Sequence, residues 1–115
     1  MIRLRKGPDG SVGVYICAGP NNLFLYLTFA PGDAPARVTT RLHPRYATAD
    51  PERVRVAVLR GVARANAECA SDLHPSEIRY QIEWPWDGMF THGAYLIARQ
   101  YAQLGEAGFE TLPNA

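Results

Sequence analysis

Hydrophobic and polar positions follow two regimes along this chain, mostly strand-like over the first 42 residues and helical over much of the remainder. Ile2 to Lys6 predicts a short opening strand and Val12 to Ala18 a β-branched second one, and the Gly7-Pro8-Asp9-Gly10 turn between them makes the pair a hairpin. A second turn, Gly19-Pro20-Asn21-Asn22, precedes the nearly unbroken apolar run from Leu23 to Phe29, which predicts a central strand covered on both faces. Pro31, Gly32, Asp33 and Pro35 break the chain. Val38, Thr40 and Leu42 then alternate with Arg37, Thr39 and Arg41, predicting a fourth strand at a sheet edge with its arginines toward water.

The run Asp50-Pro51-Glu52 carries a cap acid, a first-position proline and an early carboxylate, and so predicts a helix start. Val54, Ala57, Val58, Gly61, Val62 and Ala65 recur at three- and four-residue steps as its buried stripe, with Arg53, Arg60 and Arg64 off it. Gly61 in that stripe predicts close approach to the sheet, because glycine costs about 1 kcal/mol of helix stability relative to alanine. A strand follows in which Ile78, Tyr80, Ile82 and Trp84 face the core and Glu77, Arg79, Gln81 and Glu83 face water. Pro85-Trp86-Asp87-Gly88 reads as a turn, Thr91 as the cap of a second helix with a stripe through Ala94, Tyr95, Ala98, Tyr101 and Ala102, and Gly105 as its end. Residues 106–115 have only Phe109 and Leu112 to anchor them and read as a flexible tail.

Strands followed by helix, strand, helix predict an α+β fold of two layers: a mainly antiparallel sheet of four to five strands with two helices on one face, the late strand inserted into the sheet. At 115 residues the chain supports one such domain. Its 47% hydrophobic and 20% charged residues are those of a globular protein rather than a disordered one.

Charge changes the picture by its placement rather than its sum. Twelve basic residues face eleven acidic ones, a balance that neither demands nor excludes a nucleic-acid partner. Arg3, Arg5 and Lys6 crowd the start and Arg37, Arg41 and Arg45 recur in the middle, whereas the last fifteen residues hold Glu106 and Glu110 and no base. No apolar stretch follows the first positive charges, so a secretory signal is not expected, and no window approaches the roughly 20 apolar residues of a membrane span. The expected location is the cytoplasm, without membrane partners. Cys17 and Cys69 read as reduced, buried small hydrophobes.

The segment Leu23 to Pro31, with its Phe29-Ala30-Pro31 ending, resembles a strand in the fourth domain of translation elongation factor G. The order that follows is similar too: a Pro44-led approach to a helix with Ala57-Val58 and Gly61-Val62, a strand like Ile78 to Trp84, an Asp87-Gly88 turn, and a helix containing Ile97-Ala98. The likeness runs over roughly residues 12–104. It implies the left-handed βαβ fold which that domain shares with a small-subunit ribosomal protein, and RNA or the ribosome as partner. In the elongation factor the loop tips of this domain reach the decoding site. Ala18-Gly19-Pro20-Asn21-Asn22 is the matching loop, which places Asn21 and Asn22 among the candidate contacts, although the family's longer glycine-rich tip with Gln and Tyr is missing. The GTPase domain is missing as well, since no phosphate-cradling Gly-x-x-x-x-Gly-Lys-Ser/Thr occurs.

Candidate chemistry is sparse. His43, His74 and His92 are scattered and no metal-ligand spacing occurs, so neither metal nor cofactor is expected. No nucleophile elbow is present and neither cysteine has a neighbouring base, which leaves no catalytic motif. The stretch Glu83 to His92 packs two tryptophans, a phenylalanine and three titratable groups into ten residues. Asp87 and His92 there could form an acid/base pair, Trp86 with Met89 and Phe90 could form an exposed apolar anchor, or Trp84 and Phe90 could simply close the core. Three functions follow in order of preference. The first is a non-catalytic interaction domain for RNA or a ribonucleoprotein, with Arg37, Arg41 and Arg45 as contacts. The second is a protein-binding or homodimerising module built on Trp86, Met89 and Phe90. The third is a small enzyme centred on Asp87 and His92.

Overall fold

A computed structural model of the chain describes residues 1–32, 34–40, 50–84 and 86–111. Its strands are β1 (Ile2–Lys6), β2 (Val12–Ala18), β3 (Asn21–Phe29), β4 (Arg37–Thr40) and β5 (Pro75–Ile82), and its helices α1 (Pro51–Cys69) and α2 (Asp87–Leu104). The strands form one sheet in the order β1-β2-β3-β5-β4. Three pairings are antiparallel, and β4 with β5 is parallel. The fold is thus the expected two-layer α+β class. A parallel pair needs a crossover, and α1 is the connection that lets the chain leave β4 and return beside it as β5.

Leu23, Leu25 and Leu27 point to the helices and are fully buried beside Val12, Val14, Ile78 and Ile82. Each large aliphatic side chain buried in this way contributes about 1.5–3 kcal/mol. Among the described residues no element covers the other face of β3, contrary to the reading of its continuous apolar run: Phe24, Tyr26 and Thr28 stay half-buried because both helices lie on the leucine side. The edge position of β4 agrees with its alternation, while Arg41 and Leu42, together with His43 and Arg45, lie outside the described residues.

The helices pack against each other as well as on the sheet. Asp50 caps α1 by accepting from the Glu52 amide at 3.2 Å, as its sequence predicts. Gly61 makes its close approach to α2 rather than to the sheet, for a Cβ there would fall inside the contact radius of the Thr91 carbonyl oxygen and the Tyr95 amide. Thr91 is not a cap. It lies in the second turn of α2, where its hydroxyl donates 2.8 Å to the Ala57 carbonyl of α1, so that the two helices are joined by a hydrogen bond at the point where Gly61 brings them together. Gly105 ends α2 in the expected way, with a φ of 62°.

The segment after α2 packs back against the molecule through Glu110. A short 3-10 turn (Gly105–Gly108) leads to Phe109, which is buried against Tyr101. Glu110 then pairs with the outer edge of β1, its amide donating to the Leu4 carbonyl at 3.0 Å and its carbonyl accepting from the Lys6 amide at 2.8 Å. That bridge covers part of an edge that would otherwise present unpaired backbone groups. Cys17 and Cys69 are free but half-exposed rather than buried. Among the described residues no helix is long and apolar enough to cross a membrane.

Candidate functional site

Because the helices lie on one side of the sheet, residues of opposite parity along the strands form a second, open surface. Register places Arg5 of β1 opposite Gly13 of β2, Gly13 opposite Tyr26 of β3, and Tyr26 opposite Arg79 of β5. Arg37 and Thr39 of β4 pair with Glu77 and Arg79 and complete the row. Arg5, Tyr26, Arg37, Thr39, Glu77 and Arg79, together with Phe24, Gln81 and the Pro8 turn, line a cavity of about 610 Å³, within the range of ligand pockets of about 300–1,000 Å³.

Aromatic rings lie at and beside this cavity. Tyr15 and Phe24 face each other across β2 and β3 and stack with centroids 4.5 Å apart and planes 26° apart. The Arg5 guanidinium carbon lies 5.1 Å from the Phe24 centroid and 5.6 Å from that of Tyr15, a cation–π arrangement worth about 0.5–1 kcal/mol at an exposed site. Tyr26 lies against the bare α-carbons of Gly7 and Gly13, where any Cβ would collide with its ring. The Tyr15 phenol titrates above its ordinary value, first because its hydroxyl hydrogen-bonds Cys17 and then through partial desolvation, while the Arg5 charge pulls the other way.

Charges on and beside this surface are unequally matched. Arg79 donates from Nε to Glu77 at 2.8 Å and approaches Asp9 at 3.7 Å, and these carboxylates, Glu77 foremost, hold its guanidinium above its usual basicity. Arg3 pairs with Glu110 at 3.0 Å, and Glu83 accepts from Asn22 at 3.0 Å. Arg5 and Arg37 make no ion pair among the described residues, and the buried Nε of Arg5 has no acceptor. Among the described residues the surface therefore carries two cations with no ion-pair partner, either side of a row of rings.

The residues singled out in the sequence are distributed differently. Arg37 is on the open face. Arg45, like Arg41, is outside the described residues. Asn21 opens β3 rather than sitting in the preceding loop. Its side-chain oxygen accepts from the Trp84 amide and its nitrogen donates to the Trp84 carbonyl, each at 3.0 Å. It is a strut for the chain leaving β5. Trp84 is not a core residue, because β5 ends at Ile82 and the ring is 66% exposed. Trp86 is also exposed, at 62%. Met89 and Phe90 are not an exposed anchor: they are buried, since α2 starts at Asp87 and turns both toward the sheet, where Phe90 meets Tyr80 edge-on at 5.2 Å.

Asp87, the first residue of α2, meets Arg53 at 3.3 Å in an exposed pair of the kind worth about 0–1 kcal/mol. His92 stands five positions along, about 140° around the helix at 3.6 residues per turn, and is exposed on another side. The shallow depression beside Asp87 is lined by the cap residue Asp50 and by α1 residues such as Arg53 and Arg60, and does not include His92. His74 contacts the Ala34 carbonyl at 2.8 Å. Among the described residues no group of three or more His, Cys, Asp or Glu could hold a metal ion.

The residues that reasoning from sequence missed are Arg5, Tyr15, Phe24, Tyr26 and Arg79. Their signal lay inside the apolar run of β3, where leucines occupy the odd positions from 23 to 27 and Phe24, Tyr26 and Thr28 the even ones. Compared with known protein families, curated proteins and solved structures, the chain matches none.

Proposed function

We propose that this protein is a non-catalytic interaction domain that binds RNA on the open face of its sheet. The observation that carries the reading is the stacked Tyr15–Phe24 pair beneath Arg5, with Tyr26 alongside and Arg37 across the cavity. Sheets with aromatic side chains on an exposed face bind nucleic acid by stacking the rings on bases, and arginine contributes both to phosphates and to base faces. The likeness of residues 12–104 to the fourth domain of elongation factor G agrees with an RNA or ribosomal partner. The surface proposed here is the sheet face, not the start of β3 at Asn21 and Asn22, whose side chains are committed to Trp84 and Glu83.

Fluorescence anisotropy with a labelled RNA of mixed sequence tests this. Binding at low salt is expected, weakening as salt rises because counterions are released from the phosphates. Absence of binding even at low salt would contradict the reading.

A second reading rests on Trp84 and Trp86, two large rings more than 60% exposed within three residues. Exposed aromatics of this size anchor protein interfaces, which favours self-association through this turn. Sedimentation tests it: a dimer lost in Trp86→Ala supports it, and a wild-type monomer excludes it.

A further inference from the structure

We infer that the open face takes about two or three consecutive unpaired nucleotides laid across the strands, with a base on Tyr26 and phosphates at Arg5 and Arg37. This rests on the nucleic-acid reading above and adds to it the strandedness, length and path of the ligand.

Strand order supplies the path. β1 and β4 are the two edges of the sheet, four strand spacings apart, or about 19 Å at roughly 4.8 Å each. Arg5 and Arg37 come from those edges, yet both line the same cavity. A ligand that engages both arginines therefore crosses the platform instead of resting at one point on it. Between them on β3, Tyr26 stands in register with Gly13 and Arg79 on the row that starts at Arg5, so its ring lies on that path as the place where a base can stack.

The same geometry selects against a duplex. In a duplex the base faces are stacked on those of adjacent pairs, and rings lying on a sheet reach those faces only when the bases are unstacked. Charge assigns the two ends. Arg79 is matched by Glu77 and Asp9 and serves as a wall of the cavity, whereas Arg5 and Arg37 meet no carboxylate among the described residues.

Anisotropy titrations with labelled oligoribonucleotides of increasing length, and with a duplex of the same sequence, test the inference. Single strands are expected to bind at least tenfold more tightly than duplex, with affinity levelling off by about four nucleotides. Arg37→Ala, an exposed change that leaves the core intact, should reduce the salt slope by about 0.7. Tyr26→Leu, with its circular dichroism spectrum retained, should weaken binding roughly five- to a hundredfold. Equal binding of duplex and single strand, or unchanged affinity and salt slope in Arg37→Ala, would overturn the inference while leaving RNA binding in place. If no RNA of any kind binds, the nucleic-acid reading itself fails and the inference goes with it.

Discussion

The ring of Tyr26 lies across the bare α-carbon of Gly13, its partner in register on the neighbouring strand. A Cβ at Gly13 would meet the Tyr26 Cε1 at 2.6 Å and the Leu25 carbonyl oxygen at 2.6 Å, closer than such atoms pack. A glycine in a strand weakens it unless something fills the space, and here an aromatic side chain does so.

Gly13→Ala is therefore expected to lift the Tyr26 ring from the sheet and strain β2 against β3, at a cost of about 1–3 kcal/mol in denaturant unfolding. Tyr26→Phe keeps the ring and should retain most of the stability. A Gly13→Ala protein as stable as wild type would show that the ring is not held there.

The contact between the helices makes a second prediction. Gly61→Ala raises helix propensity, by about 1 kcal/mol in an exposed helix, yet its new methyl would press on the Thr91 carbonyl and the Ala94 methyl. Backbone cannot yield as a side-chain tip can, so a net destabilisation of about 1–3 kcal/mol is expected. Thr91→Val should lower stability by about 1 kcal/mol through loss of the hydrogen bond to Ala57.

Asn21 and Trp84 give a third. The paired hydrogen bonds between this side chain and the Trp84 backbone hold the chain as it turns out of β5. Asn21→Ala should speed hydrogen exchange of the Trp84 amide and cost about 0.5–1.5 kcal/mol per bond removed. An unchanged exchange rate would mean that the strut does not form in solution.

Tyr95 gives a prediction in pH. Its phenol is held above the usual value, first by a hydrogen bond with Glu68, then by desolvation, with the Arg64 guanidinium 4.4 Å over its ring pulling the other way. A phenol whose folded pKa is raised contributes stability that is fully present below the unfolded value near 10 and is lost as pH rises through the folded one. The stability difference between wild type and Tyr95→Phe should thus be constant at neutral pH and decline only above about pH 10. A difference that changed between pH 6 and 8 would contradict this.

The two-layer architecture was legible in the chain because strand alternation, the Asp50 cap and the stripe from Val54 to Ala65 are local patterns. The late strand's place was not, since insertion of β5 between β3 and β4 depends on pairing between segments some fifty residues apart. Start and burial of α2 were misread for a related reason: Thr91 is a good cap by composition, but its hydroxyl bonds the other helix, and Met89 and Phe90 fill space that only the assembled core defines. Glu110 anchors the tail through backbone groups, which leave no mark on side-chain patterning. The open face was hidden because an apolar run reads as buried on both sides, although its aromatic and aliphatic positions were already sorted by parity.

Backbone amide shift mapping of the labelled protein titrated with a short single-stranded RNA at low salt tests the central claim most directly. The largest changes are expected at Arg5, Gly13, Tyr15, Phe24, Tyr26 and Arg79, with the solvent-facing sides of α1 and α2 unmoved. Changes confined to the helices or to the turn around Trp84 and Trp86, or no changes at all, would contradict it.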